Sequence, residues 1–160
     1  MVQDERGSEA LASVAEAGRI PFDSGGKHLV DFELREEIEV GDYVMSVTNV
    51  KTMSKLGQYL NPDTFQGVTA HFHFIVIQLS IVHQGTKEGY VPQGMFQLTD
   101  GHYVYDVDKE GTTYLFDSGL FAPVLRTGVK RNVKAAFDVP PGEYWLLVHG
   151  DRIYRMKIST

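Results

Sequence analysis

The chain has no cysteine in its 160 residues. That absence removes disulfides, thiolate nucleophiles and thiolate metal sites together, so any core is held by packing alone. Long apolar runs are missing as well. The longest unbroken ones, such as residues 74–77, fall far short of the roughly 20 residues a membrane helix needs. No basic run is present either: 15 Lys and Arg stand against 21 Asp and Glu, for a formal charge of −6. Nothing is therefore in place to neutralise a line of phosphates, and nucleic acid is not an expected partner. Phosphate-cradling patterns are absent too, since no glycine loop ends in Lys-Ser or Lys-Thr and no Gly-x-Gly-x-x-Gly follows a strand. The opening Met1-Val2-Gln3-Asp4-Glu5-Arg6 is acidic where a secretory leader is basic, and no apolar stretch follows it. Such a start fits a cytosolic chain, or one whose leader was removed ahead of Met1.

What the chain does contain changes character near residue 28. Residues 1–27 mix small and charged types, with a weak helical hint at 11–17, and finish in Asp23-Ser24-Gly25-Gly26. They read as a flexible tail or linker ahead of a domain spanning 28–160. From there on, short runs of Val, Ile, Tyr, Phe and Thr alternate with Gly, Pro, Asn and Asp, the texture of strands and turns. Strands are expected at 29–34, 43–50, 70–83, 95–98, 103–107, 133–139, 144–148 and 152–158. Asp100-Gly101 and Gly150-Asp151 read as two-residue turns whose positive φ suits a hairpin, so each should join antiparallel neighbours. In the last strand Tyr154, Met156 and Ile158 alternate with Arg155 and Lys157, one face apolar and one wet. Of Tyr144 and Trp145, one should sit between the sheets. Residues 51–69 and 108–127 resist the strand reading and are expected as long loops. The fold class expected is all-β: an immunoglobulin-like antiparallel sandwich of about 7–9 strands.

A family resemblance supports this reading. Val40-Gly41-Asp42-Tyr43 leads into Val47-Thr48-Asn49-Val50. The long strand Phe74-Ile75-Val76-Ile77-Gln78-Leu79-Ser80-Ile81 is followed by Phe96-Gln97-Leu98-Thr99-Asp100-Gly101-His102-Tyr103. Thr127-Gly128-Val129 and Ala135-Ala136-Phe137-Asp138-Val139-Pro140 close the series. In this order of signals the chain resembles the bacterial domain family DUF4352, of unknown function, which shares an immunoglobulin-like fold with a secreted mycobacterial antigen. The resemblance implies export, often as a lipoprotein with a flexible segment between an upstream lipid anchor and the domain. It carries over no catalytic residues. The chain departs from the family in reading His83-Gln84-Gly85 where an Asn-rich turn is usual, and in having no anchor cysteine.

Three constellations bear on chemistry. Asp106-Val107-Asp108-Lys109-Glu110-Gly111, with Asp117 beyond, repeats the oxygen-ligand spacing of a calcium loop; an Asp in last place, Thr113 in the usual apolar position and the lack of flanking helices argue for a solvated acidic loop instead. His71, His73 and His83 share strand parity and offer a zinc or copper site if a neighbouring strand adds a ligand. The same parity carries Ile75, Ile77, Leu79 and Ile81, however, so that face should enter the core. Aromatic side chains crowd the two loops: Tyr59 and Phe65 in the first; Tyr105, Tyr114, Phe116 and Phe121 in or beside the second. Exposed, they would anchor a partner or a glycan. Folded back, they would cap the sandwich.

No serine is seen in a strained glycine turn with a base at hand. Ser24-Gly25-Gly26 near His28 comes closest but lies in the expected tail, and Ser118-Gly119 has no histidine nearby in sequence. No catalytic residue is therefore assigned. The function expected is an extracytoplasmic, non-enzymatic binding or interaction module, secreted or at the cell surface, for an unknown protein or cell-surface ligand. The alternatives are a metal-binding module, with calcium the candidate ion for the acidic loop, and a small hydrolase. Otherwise no cofactor is expected. Edge strands of an open sandwich also invite pairing, which offers a route to a homodimer.

Overall fold

The β-branched and aromatic runs form two stacked sheets. The computed structural model describes residues 20–86, 89–91, 93–115 and 125–159. In chain order the elements are β1 (Ile20–Pro21), β2 (Leu29–Asp31), β3 (Ile38–Val40), β4 (Tyr43–Asn61), β5 (Thr64–His83), β6 (Phe96–Thr99), β7 (Tyr103–Asp106), helix α1 (Lys109–Thr113), β8 (Lys130–Val139), β9 (Trp145–His149) and β10 (Ile153–Lys157). One sheet runs β1-β7-β6-β9-β10-β2 and the other β3-β4-β5-β8. Among the described residues every strand pair is antiparallel except β10 with β2. The immunoglobulin-like sandwich is as the sequence implies. The described residues hold two strands beyond the expected set, β1 of 2 residues and β3 of 3, too short to carry an alternation signal.

Parity in β5 decides what lies between the sheets. Ile75, Ile77, Leu79 and Ile81 are exposed by 2% or less and meet Phe96, Leu98, Leu146 and Val148 from the opposite sheet. Burying each such side chain contributes about 1.5–3 kcal/mol. Their sequence neighbours Phe74 and Val76 face the other way, yet are only 1% and 5% exposed. They form a second cluster with Leu56 and Ala136, closed over by Tyr114 and Leu115. An apolar run buried on both faces is what residues 74–77 signal. A third cluster, Val104, Leu147 and Ile153, lies on the outside of the six-stranded sheet beneath Phe22 and Leu29. Tyr144 is the core member of its pair, while Trp145 stays half-exposed beside the Lys157 ammonium.

Residues 20–27 fall within the stretch expected as a tail, yet they are held to the sheet. Ile20 and Pro21 pair with Val104 and Tyr103, the Phe22 amide donates to the His102 carbonyl at 2.8 Å, and Lys27 Nζ donates to the Gly150 carbonyl at 2.7 Å. The rest of that expectation, residues 1–19, lies outside the described residues. Both predicted hairpins join antiparallel neighbours, β6 to β7 and β9 to β10. Gly101 has the positive φ expected, at 99°. Gly150 and Asp151 do not take the positive φ expected of them, and His149 pairs with Ile153 across a three-residue turn. Gly150 matters for space instead, since a Cβ there would stand 2.7 Å from Val40 Cγ1.

Both segments expected as long loops contain regular structure. Residues 51–69 are β structure, because β4 and β5 continue as one hairpin of 19 and 20 residues. Residues 109–113 of the second loop form α1, capped by Asp108, whose carboxylate accepts from the Gly111 amide at 2.7 Å. This short helix closes the free edge of β8. The Asp108 amide donates to the Ala136 carbonyl at 2.8 Å, and Thr112 Oγ1 accepts from the Ala136 amide at 3.0 Å. An exposed sheet edge is thereby covered. None of the described helices is long and apolar enough to cross a membrane.

Candidate functional site

The β4–β5 hairpin is much longer than its neighbours in the sheet. β3 pairs only with residues 43–45 of β4, and β8 pairs with β5 only as far as His73. Beyond Met53 and His73 the hairpin is a two-stranded ribbon. Its register breaks where Ser54 opposes residues 70–73, and resumes with Lys55 opposite Thr69. Such a break bends and twists a strand pair. At the bend the Asp138 carboxylate accepts from the amides of His71 and Phe72, at 2.7 and 3.0 Å, satisfying edge donors that β8 no longer reaches.

Past the bend, strict alternation gives the ribbon two faces. Leu56 and Val68 are cross-strand partners on the face turned to the body, and Leu56 is 3% exposed. The outward face carries Lys55, Tyr59 and Phe65. Its Gly57 and Gly67 oppose each other so closely that a Cβ on Gly67 would lie 2.1 Å from the Leu56 carbonyl oxygen, and 2.6 Å from the Phe65 ring. The Phe65 ring lies against Gly67, where no side chain could fit. Tyr59 pairs with Phe65, ring centroids 5.1 Å apart. Lys55 Nζ sits 4.8 and 4.7 Å from the two centroids and donates to the Tyr59 hydroxyl at 2.6 Å. The tip is a turn with Pro62 inside it, and the Asp63 amide donates to Asn61 Oδ1 at 3.0 Å. A proline-fixed turn, an Asx contact and a cation over two rings give a preorganised tip. Tyr59 and Leu60 project from it, 58% and 59% exposed.

The other expected aromatic contacts divide. Tyr105 is a packing residue, with its ring edge-on to Tyr144 at 5.7 Å and its hydroxyl donating to Asp100 Oδ2 at 3.3 Å. Burial raises the Asp100 carboxyl, but the Tyr103 and His102 amides and the Tyr105 hydroxyl outweigh it, and the net displacement is downward. Tyr114 closes over Leu56, Phe74 and Val76. These two cap the sandwich rather than stand free, because their flanking backbone is a strand and a helix end instead of an open loop. Phe116 and Phe121 lie outside the described residues.

Neither metal constellation assembles among the described residues. Asp108 is engaged as a helix cap, Asp106 accepts from Gln97 Nε2 at 2.7 Å, and Glu110 sits exposed on α1. The spacing that mimics a calcium loop is the spacing of an N-cap and a first turn, and Asp117 lies outside the described residues. The histidines are dispersed along β5. His71 is exposed, His73 half-buried, and His83 stands ten residues further on, about 33 Å at an extended rise. His83 is 6% exposed, with its ring 5.1 Å from that of Tyr43.

A polar chain that sequence spacing does not reveal crosses the six-stranded sheet. Gln97 links Asp106 on β7 to His149 on β9, with His149 Nε2 2.8 Å from Gln97 Oε1. A carboxylate only accepts, so the Gln97 amide must turn its NH₂ to Asp106, and its oxygen then accepts from His149 Nε2–H. The bond fixes the histidine tautomer. Burial lowers the His149 pKa below its ordinary 6.5, and the charge of Lys27 adds to this. The unfolded chain therefore binds the proton more readily than the folded one. The His149 contribution to stability is fully present above pH 6.5 and is lost as pH falls from there through the lower folded pKa. Melting temperatures between pH 7 and 5 should show that decline, and His149→Gln should reduce its slope.

Residues 32–157 match the model of DUF4352, a domain of unknown function. No curated protein matches the chain in sequence. Solved structures with the same fold include an uncharacterized β-sandwich protein from Clostridium difficile 630, 15% identical over 83% of this chain and 96% of that one, with a TM-score of 0.57. The yjhA protein from Bacillus subtilis is 16% identical over 79% and 99%, with a TM-score of 0.60. MPT63, a secreted protein from Mycobacterium tuberculosis, is 14% identical over 82% and 98%, with a TM-score of 0.50. At such identities the likeness is one of fold, and the β-sandwich description of the first of them agrees with the two stacked sheets. With most of its length matched by one family model, the chain belongs to the DUF4352 family of β-sandwich domains.

Proposed function

We propose that the protein is an extracytoplasmic, non-enzymatic binding module whose contact element is the tip of the β4–β5 ribbon. The observation that carries this reading is the exposure of Tyr59 and Leu60, at 58% and 59%, on a tip already held by Pro62, Asn61 and Lys55. Large side chains fixed before contact lose little conformational entropy on binding, which favours them as anchors. The fold shared with a secreted mycobacterial protein supports the location.

A photo-crosslinking phenylalanine analogue at position 59, introduced in producing cells, tests the proposal. A discrete adduct is expected from position 59 and none from Arg152, an exposed site in the β9–β10 turn. With the partner in hand, the double variant Tyr59→Ser, Leu60→Ser should cost about 2 kcal/mol of binding or more, about 30-fold in Kd. Its melting temperature should stay near wild type, because the replaced groups are exposed. Equal adducts from both positions, or none from 59, would remove the tip as the contact element.

A further inference from the structure

A concavity lies on the outer face of the four-stranded sheet, between the ribbon base and the end of α1, with a volume of about 210 Å³. One end is polar. Asn49, Gln78 and Lys134 form a row across β4, β5 and β8, and Lys51 stands in the next row opposite Val76. The other end is apolar, walled by Met53, Leu56, Val76 and Tyr114.

The chain as a whole carries −6, yet among the described residues both ionic groups lining the groove are lysines. Neither Lys51 nor Lys134 has an ion-pair partner among the described residues. Asp138 lies further along β8 on the same face, but both its oxygens accept from the His71 and Phe72 amides. β4 and β8 stand about 10 Å apart across β5, a span that two long lysine arms bridge when they converge on one anion. The Asn49 and Gln78 carboxamides add N–H donors between them.

We propose that this groove binds a small organic carboxylate with a short apolar tail. The head lies between Lys51 and Lys134 with hydrogen bonds from the two carboxamides, and the tail lies on Met53, Val76 and Tyr114. Ligand pockets that hold drug-sized molecules measure about 300–1,000 Å³, so a groove of this size selects a short tail. The groove is separate from the Tyr59–Phe65 pair, which lies on the other face of the hairpin from Leu56.

The test is an amide-resolved NMR titration of the full chain with hexanoate, hexanol and acetate. Hexanoate should give saturable shifts at the Asn49 and Gln78 side-chain amides and along residues 49–53 and 76–78. Hexanol, lacking the charge, and acetate, lacking the tail, should each bind about tenfold more weakly or worse, a difference of about 1.4 kcal/mol. The double variant Lys51→Gln, Lys134→Gln should lose about tenfold in affinity for hexanoate. Lys130→Gln, exposed on the same face of β8, should retain it. Unchanged spectral dispersion in the variants would show that they fold. Equal binding of hexanoate and hexanol would overturn the proposal, as would hexanoate shifts confined to other surfaces or an absence of saturation.

Discussion

Leu56→Ala lowers the stability of the fold by about 2–5 kcal/mol, the range for emptying a buried leucine site. Leu56 belongs to the ribbon by sequence but to the body by contact: it is 3% exposed and packed with Phe74, Val76 and Ala136, with Val68, Tyr114 and Leu115 around it. It is the side chain that lays the ribbon against α1. Truncation leaves a void at the hinge between ribbon and sandwich. Chemical denaturation gives the total cost, and hydrogen exchange shows where it falls. Amides of residues 55–69 should lose protection well before those of residues 75–81, whose inner-face side chains pack between the sheets. A loss below about 1 kcal/mol, the size expected of an exposed site, would mean that the ribbon stands away from the body in solution.

Thr112→Val is expected to cost about 1–3 kcal/mol although it conserves shape. Thr112 is fully buried at 0% exposure, and its hydroxyl accepts the Ala136 amide at 3.0 Å. Valine fills the same space and removes the acceptor, so a buried N–H on the edge of β8 loses its partner. Thr112→Ser keeps the oxygen and gives up a methyl, worth about 0.8 kcal/mol of burial. The serine variant should therefore be the more stable of the two. The reverse order in thermal or chemical denaturation would assign the role of Thr112 to packing and not to the hydrogen bond.

The ribbon shows why part of the fold was legible in the sequence and part was not. β5 from His73 to Ile81 announces itself, since period-two alternation follows directly from which face enters the core. Residues 51–69 read as a loop because Gly57, Asn61, Pro62, Asp63 and Gly67 are individually poor strand formers. They remain in strand conformation because Gly57 opposes Gly67, the Phe65 ring lies on the gap, and Leu56 finds Phe74 across the sheet. None of those contacts has a signature within a local window. Of the candidate site, Tyr59 and Phe65 were visible as aromatics in an unassigned segment, but their pairing and the position of Lys55 above them depend on register.

The sequence by itself determined an all-β chain without disulfides, the places of its two short antiparallel hairpins, the inward face of β5 and the family pattern, because composition, turn chemistry and alternation are local properties. The tertiary structure alone decided which polar residues became structural. Asp108 caps a helix, Asp138 ties down the ribbon, and Gln97 joins Asp106 to His149 across three strands. It also separated His83 from His71 and His73 and left Lys51 and Lys134 facing one groove. Those outcomes follow from strand order and register, which join residues distant in sequence and which no spacing along the chain encodes.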